Sequence, residues 1–139
     1  DTTMADKESV LPLLQAAHQE PIVALELPDD DEITAVEEAI YVQIRGDYRD
    51  FLLNASDLVI GTLEPATISD PSSHTHLPEL ACQAWDQGLS RELLPICQTP
   101  YGYYCLDMEF QVIELKNGAT EPGSWPNIWS WAADMWLDS

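Results

Sequence analysis

Basic side chains are what this chain has least of. Five lysines and arginines stand against 25 aspartates and glutamates, a formal charge of −20 at pH 7. A field of that sign repels phosphate backbones and argues against nucleic-acid binding through a basic patch. It also leaves few cations to hold a phosphorylated substrate or cofactor. Cysteine is scarce too: Cys82, Cys97 and Cys105 are odd in number and form no CxxC pair. That usage argues against a secreted disulfide framework and fits a reducing cytoplasm. No apolar run approaches the ~18 residues of a membrane span, and the first residues lack the pattern of a secretory signal. Glycine-rich phosphate loops, the GxSxG turn and the HExxH helix are all missing. No catalytic residue, cofactor or metal is expected on these grounds.

What is present describes a folded domain. The 139 residues are 45% apolar and include five tryptophans, enough for one domain with a core that needs no metal or disulfide. The carboxylates read first as a solvated surface, and beyond that as a field that would speed encounter with a basic protein.

Periodicity divides the chain. Val10, Leu11, Leu14, Ala17 and His18 predict an amphipathic helix over Lys7–Gln19, with Ser9 as N-cap, Pro12 early and Pro21 as the stop. His18 reads as a core or boundary residue. Ile22–Leu27 reads as a short strand or an extended arm. The acidic break Pro28-Asp29-Asp30-Asp31-Glu32 precedes a helix over Ile33–Val42, whose face is Ile33, Val36, Glu37, Ile40 and then Ile44. The stretch Ile44–Leu53 carries the next helix: an opening turn at Gly46-Asp47, then Tyr48, Phe51 and Leu52 inward, Arg49 and Asp50 outward. These two helices are expected to form a hairpin. Leu58–Leu63 reads as extended, bent at Gly61, leading to one strand at Ala66–Ile68, with a loop over Ser69–Thr75. Leu77, Leu80, Ala81, Ala84 and Trp85 mark a helix with Pro78 near its start and Gly88 past its end. Leu93–Cys97 reads as a strand made an edge or an end by Pro95, and Tyr103–Asp107 with Phe110–Leu115 as a hairpin reversing at Met108-Glu109. Asn117-Gly118 is a turn. Ser124 is expected to cap a last helix lined by Trp125, Ile128, Trp129, Ala132 and Trp136.

Reactive groups carry little signal. His74-x-His76 lacks further ligands at a recognised spacing, so two exposed loop histidines account for it better than a metal. The thiols sit in acidic surroundings within predicted helix or strand and read as inert. Asp57, Glu64, Asp107, Glu109 and Glu114 would support acid–base work only if they converged, and with this many acids some convergence is expected by chance.

The order of these segments resembles a known family. Ile44–Leu52 is similar to the "LPxDYxxFL" helix of the SMI1/KNR4 (SUKH) superfamily, with Arg45-Gly46 in place of the usual proline. Glu37 and Glu38 stand where that family has an acid on the preceding helix. Leu94-Pro95-Ile96-Cys97 followed by Gly102–Asp107 resembles its strand pair, and Ser124-Trp125-Pro126-Asn127-Ile128-Trp129 its closing helix, over residues 32–138 in all. The resemblance implies one α+β domain over residues 1–139: a mixed or antiparallel sheet flanked by helices. It implies a bacterial immunity protein that binds and neutralises a toxin domain, often a nuclease; a regulatory interaction scaffold is the alternative, and a small enzyme a distant third. The expected partner is a basic protein, not nucleic acid or membrane, and the expected location is the cytoplasm. On that reading the binding surface is formed by Asp29, Asp30, Asp31, Glu32, Asp70, Asp107, Glu109 and Glu114, with Tyr101 and Tyr103 as anchors.

Overall fold

Side-chain caps start the first two helices ahead of their apolar faces. A computed structural model describes residues 6–20 and 26–139. In it α1 spans Lys7–Ala17 and is capped by Asp6, not by Ser9. Asp6 accepts the Ser9 backbone N–H at 2.9 Å while Ser9 Oγ accepts the Asp6 N–H at 3.4 Å. Pro12 therefore lies inside the helix; its missing N–H frees the Glu8 carbonyl, at an exposed position. Helix α2 (Asp30–Ile40) repeats the device, with Asp29 accepting from Glu32 N–H at 2.8 Å and Glu32 accepting from Asp29 N–H at 3.2 Å. The acidic break is thus largely a cap and first turn, and the helix starts at Asp30 and not at Ile33. It stops at Tyr41, whose φ of 56° is left-handed. The segment predicted at Ile22–Leu27 lies outside the described residues except for Glu26 and Leu27, which are irregular.

Helix α3 (Gly46–Ala55) buries Tyr48, Phe51, Leu52 and Ala55, as its spacing predicts. Its opening turn has φ −147° at Arg45 and +63° at Gly46. Proline has access to neither value, so the departure from the family's proline changes the turn itself. The predicted α2–α3 hairpin does not form as a packed pair. Helix α2 packs on α4 (Leu77–Asp86), and α3 packs on α1 and on the last helix. Helix α4 carries its buried Leu77, Leu80, Ala81 and Ala84 on one face, as expected. His18 is a satisfied boundary residue, its Nδ1 accepting the Val59 N–H at 2.9 Å.

The sheet is antiparallel, in the order β1 (Leu94–Thr99), β2 (Gly102–Leu106), β3 (Val112–Lys116), β4 (Ala119–Thr120). Pro95 lies on the outer strand at a register shift between Pro95 and Cys97, where a missing donor is tolerated. The predicted strand at Ala66–Ile68 is not a strand. Pro65 meets β1 in one isolated bridge to Cys97 and Ala66 N–H donates to the Ile96 carbonyl at 2.7 Å, while Thr67 bridges to His76 instead. Phe110 is not in β3; it sits in the reversal with φ 62°.

Helix α5 (Ile128–Trp131) is capped by Asn127, whose side chain accepts the Ser130 N–H at 2.8 Å, and not by Ser124; it continues as a π-helical turn over Ala132–Trp136. Trp125 lies before it, bridged to Val112. Trp129 and Trp136 meet Phe51 of α3 at 5.3 and 5.6 Å, and Trp131 meets Tyr104 of β2 at 5.3 Å. This segment therefore joins the helical layer to the sheet, each ring pair adding about 0.5–1.5 kcal/mol beyond its buried area. The α+β architecture implied by the resemblance is what the chain adopts.

Candidate partner-binding surfaces

The acids at the start of α2 surround one arginine. Arg49 donates from Nε to Asp30 Oδ1 at 2.9 Å, from Nη1 to Glu37 Oε1 and to the Ile44 carbonyl at 3.0 Å each, and from Nη2 to the Asp30 carbonyl at 3.0 Å and Thr34 Oγ1 at 3.1 Å. Glu37 in turn accepts the Ile44 N–H at 2.7 Å. Arg49 is thus a latch between α2 and α3 and not an outward side chain, and its guanidinium is held more firmly protonated by Asp30 and then Glu37. Asp29 and Glu32 are engaged in the cap. Asp31, Asp47 and Asp50 are exposed and serve no cap.

The other predicted site residues fall elsewhere. Asp70 lies in the 69–76 loop, its carboxylate held below the usual range by the Ser72 hydroxyl and backbone N–H. Asp107 shapes the β2–β3 reversal, Oδ1 accepting the Glu109 N–H at 2.9 Å and the Gln111 N–H at 3.0 Å. Glu109 is exposed beside it. Tyr101, 62% exposed, lies in the β1–β2 turn beneath Lys116 at 6.0 Å. It stands at the opposite end of β2 from Asp107, roughly 20 Å away at about 3.4 Å per residue. Tyr103 pairs with Leu115 and Glu114 with Tyr104, which puts Tyr103 and Glu114 on opposite faces of the sheet. Only Asp29–Glu32 form one contiguous group, with Asp107 and Glu109 a second.

Chemistry beyond contact is sparse. His74 Nε2 lies 2.7 Å from Glu64 Oε2, both exposed, and no group of three or more potential ligands stands together among the described residues. Cys82 is exposed; burial pushes the Cys97 and Cys105 thiols up to about 12.

A groove of about 480 Å³ is announced by no sequence motif. It opens between the end of α2, the start of β1 and the β2–β3 reversal, with Tyr41, Arg45, Arg91, Met108 and Phe110 on its walls. Tyr41 is 86% exposed and Met108 73%. Arg45 sits over the Phe110 ring at 5.7 Å, and Arg91 over the Trp85 ring at 3.9 Å. Two of its walls, Tyr41 after the helix and Phe110 in the reversal, stand at left-handed turns that carry neither glycine nor asparagine, so no residue type marks them in the sequence.

Fold and surfaces together define a small α+β domain with a four-stranded antiparallel sheet. The model of the SMI1-KNR4 cell-wall family (SUKH_5) matches residues 7–137, and the chain belongs to that SMI1/KNR4 family. It is similar over 95% of its length to the solved structure of a protein from Pseudomonas syringae pv. tomato, at 43% identity and a TM-score of 0.91, covering 99% of that chain. No curated protein matches the chain. Proteins of this family are typically immunity or interaction proteins rather than enzymes. No helix among the described residues is long and apolar enough to cross a membrane.

Proposed function

We propose that this protein is a cytoplasmic immunity protein that binds and neutralises a cognate bacterial toxin domain with a basic, nuclease-like active cleft. The observation that carries the reading is the acidic corner: Asp29, Asp30, Asp31 and Glu32 on α2, and Asp47 and Asp50 on α3, with Arg49 the one cation latched among them. Such a corner mimics the phosphates that a basic cleft attracts. Asp70, Asp107, Glu109 and Glu114 need not touch the partner to contribute, because steering acts through the summed field. Tyr101, and Tyr103 beside it, supply the aromatic contact that charge alone does not. The family's description as a cell-wall family favours a second reading as a regulatory interaction module.

Co-expression with the toxin domain encoded beside its gene separates the two. Restored growth is expected from the intact chain. The combined Asp31→Asn, Asp47→Asn and Asp50→Asn variant should associate several-fold more slowly at low salt, with a flatter salt dependence. Failure of the intact chain to restore growth removes the immunity reading; an unchanged association rate and salt slope in the variant removes the acidic corner.

A further inference from the structure

The groove at the end of α2 gathers cations, of which the rest of the surface has few. It holds Arg45 and Arg91, out of five lysines and arginines in a chain of net charge −20. Neither guanidinium is ion-paired among the described residues. Each lies over an aromatic ring. Arg91 is steadied further where its Nη2 donates to the Ile40 carbonyl at 3.4 Å. A guanidinium held by an aromatic ring loses little freedom on binding and keeps N–H donors for a carboxylate, which it takes as a two-pronged pair. Glu92 and Asp107 also line the groove, but Asp107 Oδ1 is occupied by two backbone N–H groups.

The apolar walls are unusual in their backbone. Tyr41 (φ 56°) and Phe110 (φ 62°) both occupy the left-handed region that glycine or asparagine normally fills. Each conformation costs roughly 1–2 kcal/mol for a residue with a Cβ. Phe110 recovers part of this by packing on the core. At Tyr41 the left-handed turn closes α2, its backbone N–H donating to the Glu37 carbonyl, a task that glycine performs without the cost. The Tyr41 ring, 86% exposed, gains almost nothing within the folded chain, and the presence of a tyrosine where glycine would cap as well points to a role outside folding. Tyrosine, arginine and methionine are also side chains enriched where proteins meet.

We propose that this groove docks a protein segment carrying a carboxylate beside a large apolar side chain. The carboxylate would bridge Arg45 and Arg91, and the apolar group would lie between Tyr41, Met108 and Phe110. The groove goes beyond the acidic corner: Tyr41 is about 18 Å from Asp29 along α2, at 1.5 Å per residue, and it selects the opposite charge.

A random dodecapeptide display library, selected on the intact chain, tests the proposal. The enriched peptides should share an Asp or Glu next to an aromatic or aliphatic residue. Their affinity should fall about tenfold or more for the Arg45→Gln/Arg91→Gln variant, the loss of one charge-assisted pair. It should also fall several-fold for Tyr41→Gly, whose melting temperature should equal or exceed that of the parent. If the double variant does not fold, Tyr41→Gly decides alone. A basic consensus, an absence of enrichment, or acidic peptides that bind the variants undiminished would overturn the proposal. So would a dimer of the intact chain that the variants dissociate, since it would assign the groove to a second copy. Growth rescue reads none of these outcomes, so the immunity reading and the groove stand or fall separately.

Discussion

Arg49 does more for the architecture than any other charged residue. Helices α2 and α3 are consecutive yet pack on different neighbours, so the chain between them is held by polar contacts. Arg49 supplies five hydrogen bonds to Asp30, Thr34, Glu37 and Ile44. Its side chain retains 22% exposure, so water softens the loss of any one of them. Arg49→Ala is expected to destabilise by about 1.5–3 kcal/mol, the range for hydrogen bonds to a charged group. Arg49→Lys should recover only a minor part, because a point ammonium does not span Glu37, Ile44 and Asp30 together. Denaturant titration checks this: the midpoint should fall with an unchanged slope, and a Lys variant as stable as the parent would sink the latch. Periodicity hid this role. It assigns side chains to inward or outward faces, and Arg49 lies between them, where only the position of α2 decides what it reaches. Tyr41 and Phe110 were opaque for a related reason, since left-handed turns are normally signalled by glycine or asparagine and here by neither.

At the scale of elements, apolar spacing accounts for most of what the sequence foretold, and most of what it misplaced lies at ends. The faces of α3 and α4 and the pairing of β2 with β3 were legible because burial selects those spacings. The starts of α1, α2 and α5 were not, because each is set by a side chain bonding to the backbone three residues ahead, which has no period, whereas α3 and α4 start without such a cap, where they were expected. Asp29 carries this difficulty into function, since it was predicted as a binding residue and also caps α2. The two roles separate by substitution. Asparagine caps as well as aspartate, so Asp29→Asn should leave stability within a few tenths of a kcal/mol while slowing capture of a basic partner. Asp29→Ala loses both, at about 1 kcal/mol of stability. Thermal melts of the two variants beside their association rates provide the check. Equal destabilisation by both would mean that the charge of Asp29, not its cap, holds the helix.

For the molecule as a whole, the sheet and its helical cover share one core that holds Cys97, Tyr48 and Tyr104, and Cys105 is buried outside that cluster; all four groups resist ionisation. Burial pushes Cys97 and Cys105 from 9.0 up to about 12 and Tyr104 from 10.0 up to about 12, and it raises Tyr48 as well. In the unfolded chain the same thiols ionise near 9.0. Below that pH both states carry the protons and stability is indifferent to them. Between pH 9 and 12 the unfolded chain releases protons that the folded chain keeps, so stability falls as pH rises. Each thiol contributes at most about 1.4 kcal/mol per pH unit within that window. The field of −20 works in the same direction, since every added negative charge is better accommodated in an expanded chain. Urea midpoints are therefore expected to stay level from pH 7 to about 8.5 and to decline steadily above 9. The Cys97→Ala variant, though less stable at every pH, should show a shallower decline. A midpoint that holds to pH 11, or a Cys97→Ala slope equal to the parent's, would mean that the core thiol reaches water in the folded protein. The two layers would then not close over a single dry core.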